Sequence, residues 1–101
     1  MKIITLTITI SQYYTLYMAT QDITIYTASW CAFCHQAMRY LDDRGIAYTK
    51  KDVEADPQFA DEAVEKSGQR GIPVIDIAGD IIVGFDRPRI DSTLDAKQIT
   101  A

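Results

Sequence analysis

The sequence predicts an α/β domain built on a mixed sheet. Short β-branched runs alternate with helix-period segments from residue 22 to 97. The first two runs are separated by a helix-length segment, which makes them a parallel pair; the last two are separated by a tight turn, which makes them antiparallel. The chain has 101 residues, 48% hydrophobic and 24% charged, which suits one globular core and excludes wholesale disorder.

Ile23-Thr24-Ile25-Tyr26-Thr27 is the first strand, with Ile23 and Ile25 on one face. Ala28 to Cys31 is a loop. A helix follows from about Ala32 to Arg44, because Ala37, Met38 and Leu41 recur at helical spacing and Gly45 supplies a stop. Ile46 to Val53 is the second strand. Asp56-Pro57 opens the next helix, with Asp at the N-cap and Pro at the first helical position. That helix carries Phe59, Ala60, Ala63 and Val64, and Gly68 ends it. Pro73 to Ala78 and Ile81 to Val83 are strands joined through Ala78-Gly79-Asp80. Pro88 starts the last helix, with Ile90 and Leu94 facing inward. The order is β-α-β-α-β-β-α.

Residues 1–21 differ from the rest, since Lys2 is their only charge. Ile4, Leu6, Ile8 and Ile10 alternate with Thr5, Thr7 and Thr9, a strand pattern. Tyr13, Tyr14, Leu16, Tyr17 and Met18 follow. We expect residues 1–21 to be an extension to a domain spanning 22–101. It adds a strand at a sheet edge or mediates self-association, or is dispensable if translation starts at Met18. A signal peptide fits less well, because Thr interrupts the apolar run at every second position. A cytoplasmic monomer is expected, with dimerisation only through residues 1–17.

The net charge is −4, which argues against nucleic acid as the partner. No run reaches the ~18 apolar residues of a membrane span. The two cysteines, Cys31 and Cys34, form neither a secreted staple framework nor by themselves a four-ligand metal site, and no metal is expected.

Cys31-Ala32-Phe33-Cys34 falls between a strand and a helix. Two cysteines three apart in the first helical turn can close a disulfide without moving the backbone. The helix start favours an anion, so Cys31 is the expected thiolate, exposed and nucleophilic. Cys34, one turn in and more buried, is the expected resolving thiol. The alternatives are half a metal site or two packed core cysteines; a strand-loop-helix setting favours redox. Trp30 shields the loop or is a half-exposed anchor. Phe33 forms an apolar rim for a partner or packs. His35, the one histidine, is a solvated helix residue or a base near the thiols.

Tyr26-Thr27, Cys31-x-x-Cys34, Gly71-Ile72-Pro73-Val74 and Gly84-Phe85-Asp86 together resemble the glutaredoxin family. The likeness covers about residues 22–97. It implies the thioredoxin fold in its short form: a four-stranded mixed sheet flanked by three helices. It also implies a dithiol oxidoreductase that reduces protein or glutathione mixed disulfides. Glutathione is then the electron donor, not a bound prosthetic group. By the same resemblance Pro73 is cis and exposes the backbone of Ile72 to substrate. Gly84, Phe85 and Asp86 receive the γ-glutamyl end of glutathione, or Asp86 simply caps the last helix. Gln69 and Arg70 meet the glycyl carboxylate, or are solvated loop residues.

The sequence departs from the family's pattern in several places. Cys-Pro-Tyr-Cys is replaced by Cys31-Ala32-Phe33-Cys34. Ser29-Trp30-Cys31 resembles the mycoredoxin branch. Gly84-Phe85 followed by Pro88 resembles glutaredoxin-like donors of ribonucleotide reductase, which thioredoxin reductase recycles. The family's lysine shortly before the first cysteine is absent, with Ala28 and Ser29 in its place. A third reading, an iron–sulfur cluster module, belongs mostly to family members with a single cysteine in the motif.

Overall fold

In the computed structural model, which describes residues 22–100, the elements follow the predicted order. They are β1 (Ile23–Thr27), α1 (Ala32–Asp43), β2 (Thr49–Asp52), α2 (Pro57–Ser67), β3 (Val74–Ile77), β4 (Asp80–Val83) and α3 (Arg87–Ala96). The sheet runs β2-β1-β3-β4. β1 and β2 are parallel; β1–β3 and β3–β4 are antiparallel. This is the thioredoxin fold: a four-stranded mixed sheet flanked by three helices. The expectations for residues 1–21, an added strand or a self-association surface, lie outside the described residues.

Strand alternation decides which helix covers which face. Ile25 stands opposite Ile75, which stands opposite Ile82, and Ile23 stands opposite Ile77. These five isoleucines pack with Ala37, Met38 and Leu41 of α1 and Ile90 and Leu94 of α3. The other face carries Tyr26 and Val74, a register pair, which pack with Ala63 of α2.

Local chemistry sets the element ends. The Asp56 carboxylate accepts the Gln58 N–H at 2.9 Å, with Pro57 at the first helical position, as predicted. Ala78 and Gly79 have φ of 51° and 96°, so the β3–β4 loop is a two-residue type I′ hairpin. The Asp76 carboxylate accepts the Gly79 N–H at 2.9 Å and steadies that turn.

Two strands differ from the sequence reading. β2 starts at Thr49, not Ile46, because the Ile46 N–H is donated to Leu41 O at 3.0 Å and its side chain is buried beside the end of α1. The pairing with β1 continues one residue past β2, where the Val53 N–H reaches Thr27 O at 2.9 Å. β3 is shorter than Pro73–Ala78, since Pro73 has no N–H to offer and Ala78 belongs to the turn. On α2, Val64 is 40% exposed. The inner stripe of α2 runs through Phe59 and Ala63, four apart, and Val64 falls one step round the helix from it.

Candidate active site

The turn after β1 is closed by the Cys31 N–H, donated to Ala28 O at 3.1 Å. Cys31 is the N-cap of α1, with extended backbone (φ −87°, ψ 105°). Its Sγ accepts the Cys34 N–H at 3.2 Å, the place a Ser or Asp oxygen holds in an ordinary cap. A thiolate at this atom receives that N–H and the positive end of a 12-residue helix. Both favour the ionised form.

Cys31 and Cys34 are joined as a disulfide, with Cα atoms 5.2 Å apart. Cys34 is 0% exposed and Cys31 6%. The expectation of an exposed Cys31 is therefore corrected. Sγ sits in the cap and the side chain belongs to the apolar cluster under α1, so Cys31 is only the more accessible of two buried groups. What stands out instead are its neighbours, Trp30 at 68% and Phe33 at 62% exposure. Trp30 does not shield the loop; it projects from it.

His35 is neither free nor aimed at a thiol. Its Nε2 lies 2.8 Å from Ser29 O. A carbonyl can only accept, so Nε2 carries the proton. The ring thus holds the turn that presents Trp30 and Cys31. The sequence reading did not foresee this, because a contact six residues back follows no helical or strand period.

The second wall comes from the segment before β3. The Ile72–Pro73 peptide is cis, as the resemblance implied. Ile72 O lies 4.0 Å from Cys31 Sγ across 41 residues of sequence. Pro73 is fully buried, and its carbonyl accepts the Gly84 N–H at 2.8 Å. Gly84 has φ of 83°, where any side chain would be strained, so the chain leaves β4 beside the proline segment only through glycine. Thus Cys31, Cys34, Ile72, Pro73 and Gly84 are brought together.

The remaining candidates are engaged elsewhere. Phe85 packs edge-on against Tyr40, ring centroids 5.9 Å apart. The Asp86 carboxylate caps α3, accepting the Arg89 N–H at 3.2 Å. The Gln69 amide folds onto its own loop. Its Nε2 donates to Gly71 O at 2.9 Å and Ser67 Oγ at 3.1 Å, and its Oε1 accepts the Gly71 N–H. Arg70 is exposed at the rim of a shallow groove shared with Val53, Ala60, Val64 and Ile72. Tyr40 and Ser67, the partners of Phe85 and Gln69, were not anticipated; both depend on contacts without a sequence motif.

Among the described residues, no three His, Cys, Asp or Glu side chains converge as a metal cluster, and no helix is long and apolar enough to cross a membrane. A cysteine pair closed as a disulfide at a helix start on this sheet is suited to two-electron exchange with another disulfide. That places the protein among the thiol–disulfide oxidoreductases of the thioredoxin fold. Comparison with known proteins narrows the class. The family model described as glutaredoxin matches residues 23–82, and the chain belongs to the glutaredoxin family.

A glutaredoxin-like 8.6 kDa protein from the rubredoxin operon of Clostridium pasteurianum is 36% identical over 73 residues, spanning 72% of this chain and 97% of the relative. The glutaredoxin-like protein NrdH of Escherichia coli is 39% identical over 66 residues, 65% of this chain and 79% of the relative. Glutaredoxin 3 of the same organism is 28% identical over 65 residues, 64% and 78%. The solved NrdH-redoxin of Escherichia coli, described as having a thioredoxin-like activity profile, superposes with a TM-score of 0.62 at 32% identity, covering 71% of this chain and 92% of that one.

Proposed function

We propose that the protein reduces disulfides of protein substrates and is itself recycled by thioredoxin reductase, not by glutathione. The observation that carries this reading is the contrast in likeness: 39% identity to NrdH against 28% to glutaredoxin 3 over nearly equal lengths. The site adds support. No cation stands at Ala28 or Ser29, just before the nucleophile. Gln69, expected to meet a glycyl carboxylate, spends its amide on Ser67 and Gly71. Asp86, expected to meet the γ-glutamyl ammonium, caps a helix. Trp30 and Phe33 offer broad apolar contact suited to a protein surface. A glutathione-recycled glutaredoxin is the second reading, favoured by the family match.

In the cycle, the Cys31 thiolate attacks one substrate sulfur and the other leaves as a thiolate, taking a proton from solvent. Cys34 then loses its proton and attacks Cys31 Sγ. The mixed disulfide breaks, and the substrate departs with two electrons and two protons. The product on this chain is the Cys31–Cys34 disulfide seen here. A dithiol of the reductase opens it by the same steps in reverse. Ribonucleotide reductase, or an enzyme with a similar redox disulfide, is the substrate class this reading implies. A pair that must be reset to the dithiol suits the cytoplasm.

The test is NADPH consumption in two arms, one with glutathione and glutathione reductase, one with thioredoxin reductase alone. Turnover confined to the thioredoxin reductase arm is expected. Turnover confined to the glutathione arm overturns the proposal and restores Ile72, Gly84 and Asp86 as a glutathione site.

A further inference from the structure

Four of the chain's five arginines, Arg39, Arg44, Arg87 and Arg89, lie on α1, its C-cap and α3. Two of the four are committed. Arg44 pairs with Asp91 at 2.5 Å, and Tyr40 donates its hydroxyl to the same carboxylate. Arg89 rests Nη2 on Ile81 O at 3.3 Å. Arg39 and Arg87 form no ion pair among the described residues. They line one open depression together with Gln36, Tyr40, Asp43 and Phe85. The Arg87 guanidinium stands 5.0 Å from the Tyr40 ring centroid, and Phe85 meets Tyr40 edge-on. The depression thus has an aromatic floor and two arginines against a single acid, Asp43. In a chain of net charge −4, such a spot is set apart.

Its place in the fold matters as much as its charge. Gln36 is two residues beyond Cys34, and lies one turn from the exposed Phe33 on α1. Phe85 follows Gly84, which is bonded to the proline segment at the thiols. A polypeptide lying over Phe33 has this depression as its continuation along α1. From this we infer that the depression docks an acidic segment flanking the substrate's disulfide, with Arg39 and Arg87 receiving an Asp or Glu carboxylate. A planar guanidinium fixed over a ring suits a carboxylate better than a mobile lysine does. The inference rests on dithiol exchange alone and is indifferent to which reductant resets the pair.

The test mixes pre-reduced protein, in stoichiometric single turnovers, with two disulfide peptides that differ only in three flanking Asp or three flanking Lys residues. No recycling system is present, so the outcome is independent of the thioredoxin reductase proposal. The acidic peptide should react about three- to fivefold faster at low salt, the size that two exposed ion pairs supply. The advantage should fall away near 0.5 M salt, where the Debye length is about 4 Å. It should disappear in Arg39→Gln/Arg87→Gln and reverse in Arg39→Glu/Arg87→Glu. Reaction with uncharged hydroxyethyl disulfide should be unchanged in both variants, which also shows that they are folded. An acidic preference that persists in the variants overturns the inference. So does an equal loss on the small disulfide, which would put the arginines' effect on the thiols themselves.

Discussion

Under α1 and α3 the sheet presents Ile23, Ile25, Ile75, Ile77 and Ile82 to Ala37, Leu41, Ile90 and Leu94, all but fully buried. Under α2 it presents Tyr26 and Val74 to Ala63, with Val53, Phe59 and Ile81 partly buried around them, and polar contacts add to this smaller apolar patch. Tyr26 donates its hydroxyl to Glu62 at 2.9 Å, Lys51 meets the same carboxylate at 2.9 Å, and Lys66 meets Asp76 at 2.6 Å. Exposed ion pairs contribute about 0–1 kcal/mol each, against about 1.5–3 for one buried Leu or Ile. Both cysteines belong to the apolar cluster. The chemistry is therefore anchored in the larger apolar cluster, while α2 covers a smaller one reinforced by a clasp of ion pairs.

The largest effect expected anywhere is at Cys31. Cys31→Ser should abolish disulfide reduction, and Cys34→Ser should leave a trapped mixed disulfide visible by mass spectrometry. Activity retained by Cys31→Ser would reverse the assigned order of attack.

A direct probe of the two faces compares Leu41→Ala with Val64→Ala by urea denaturation. Leu41 is wholly buried, and its truncation should cost about 2–5 kcal/mol. Val64 is 40% exposed at the rim of α2 and should change stability by less than about 0.5 kcal/mol. Equal losses would mean that α2 is packed as firmly as α1.

A smaller effect is expected at His35, whose ring holds the Ser29 carbonyl. Removing one hydrogen bond of this kind costs about 0.5–1.5 kcal/mol. His35→Ala should loosen the turn and raise KM for a protein disulfide with little change in kcat. His35→Gln, which can still place an N–H on that carbonyl, should restore KM. Equal KM in both variants would assign the ring no positioning role.

The faces differ also in how far the sequence discloses them. Alternation of Ile in β1 and helical spacing in α1 are local patterns, and they place β1 at Ile23–Thr27 and the helix start at Ala32. The Asp56-Pro57 cap is equally local. The start of β2 is not, because the Ile46 N–H goes to the end of a helix already formed. The cysteine pair is legible from its own spacing. The Ile72 carbonyl beside Cys31 is not, since 41 residues separate them and only the family resemblance joins the two segments. The uses of His35 and Gln69 depend on side chains folding back onto nearby carbonyls, which no hydrophobic period records.

The last and smallest prediction separates the faces by pH. The Glu62 carboxyl is held below its usual pKa, first by its hydrogen bond with Lys51 and then by that from Tyr26. A depressed carboxylate lends stability above its unfolded pKa, about 4.3, and loses it as pH falls through the lower folded value. Glu62→Gln should therefore lower Tm slightly at pH 7, and the difference from the parent should shrink as the pH falls through the lowered folded pKa. The deficit of Leu41→Ala contains no titrating group and should persist across the same range. Thermal melts of the parent and both variants at pH 7 and pH 3 read this directly. A Glu62→Gln deficit undiminished at pH 3 would mean that the clasp holds α2 by packing rather than by charge, and the contrast between the faces would be one of degree only.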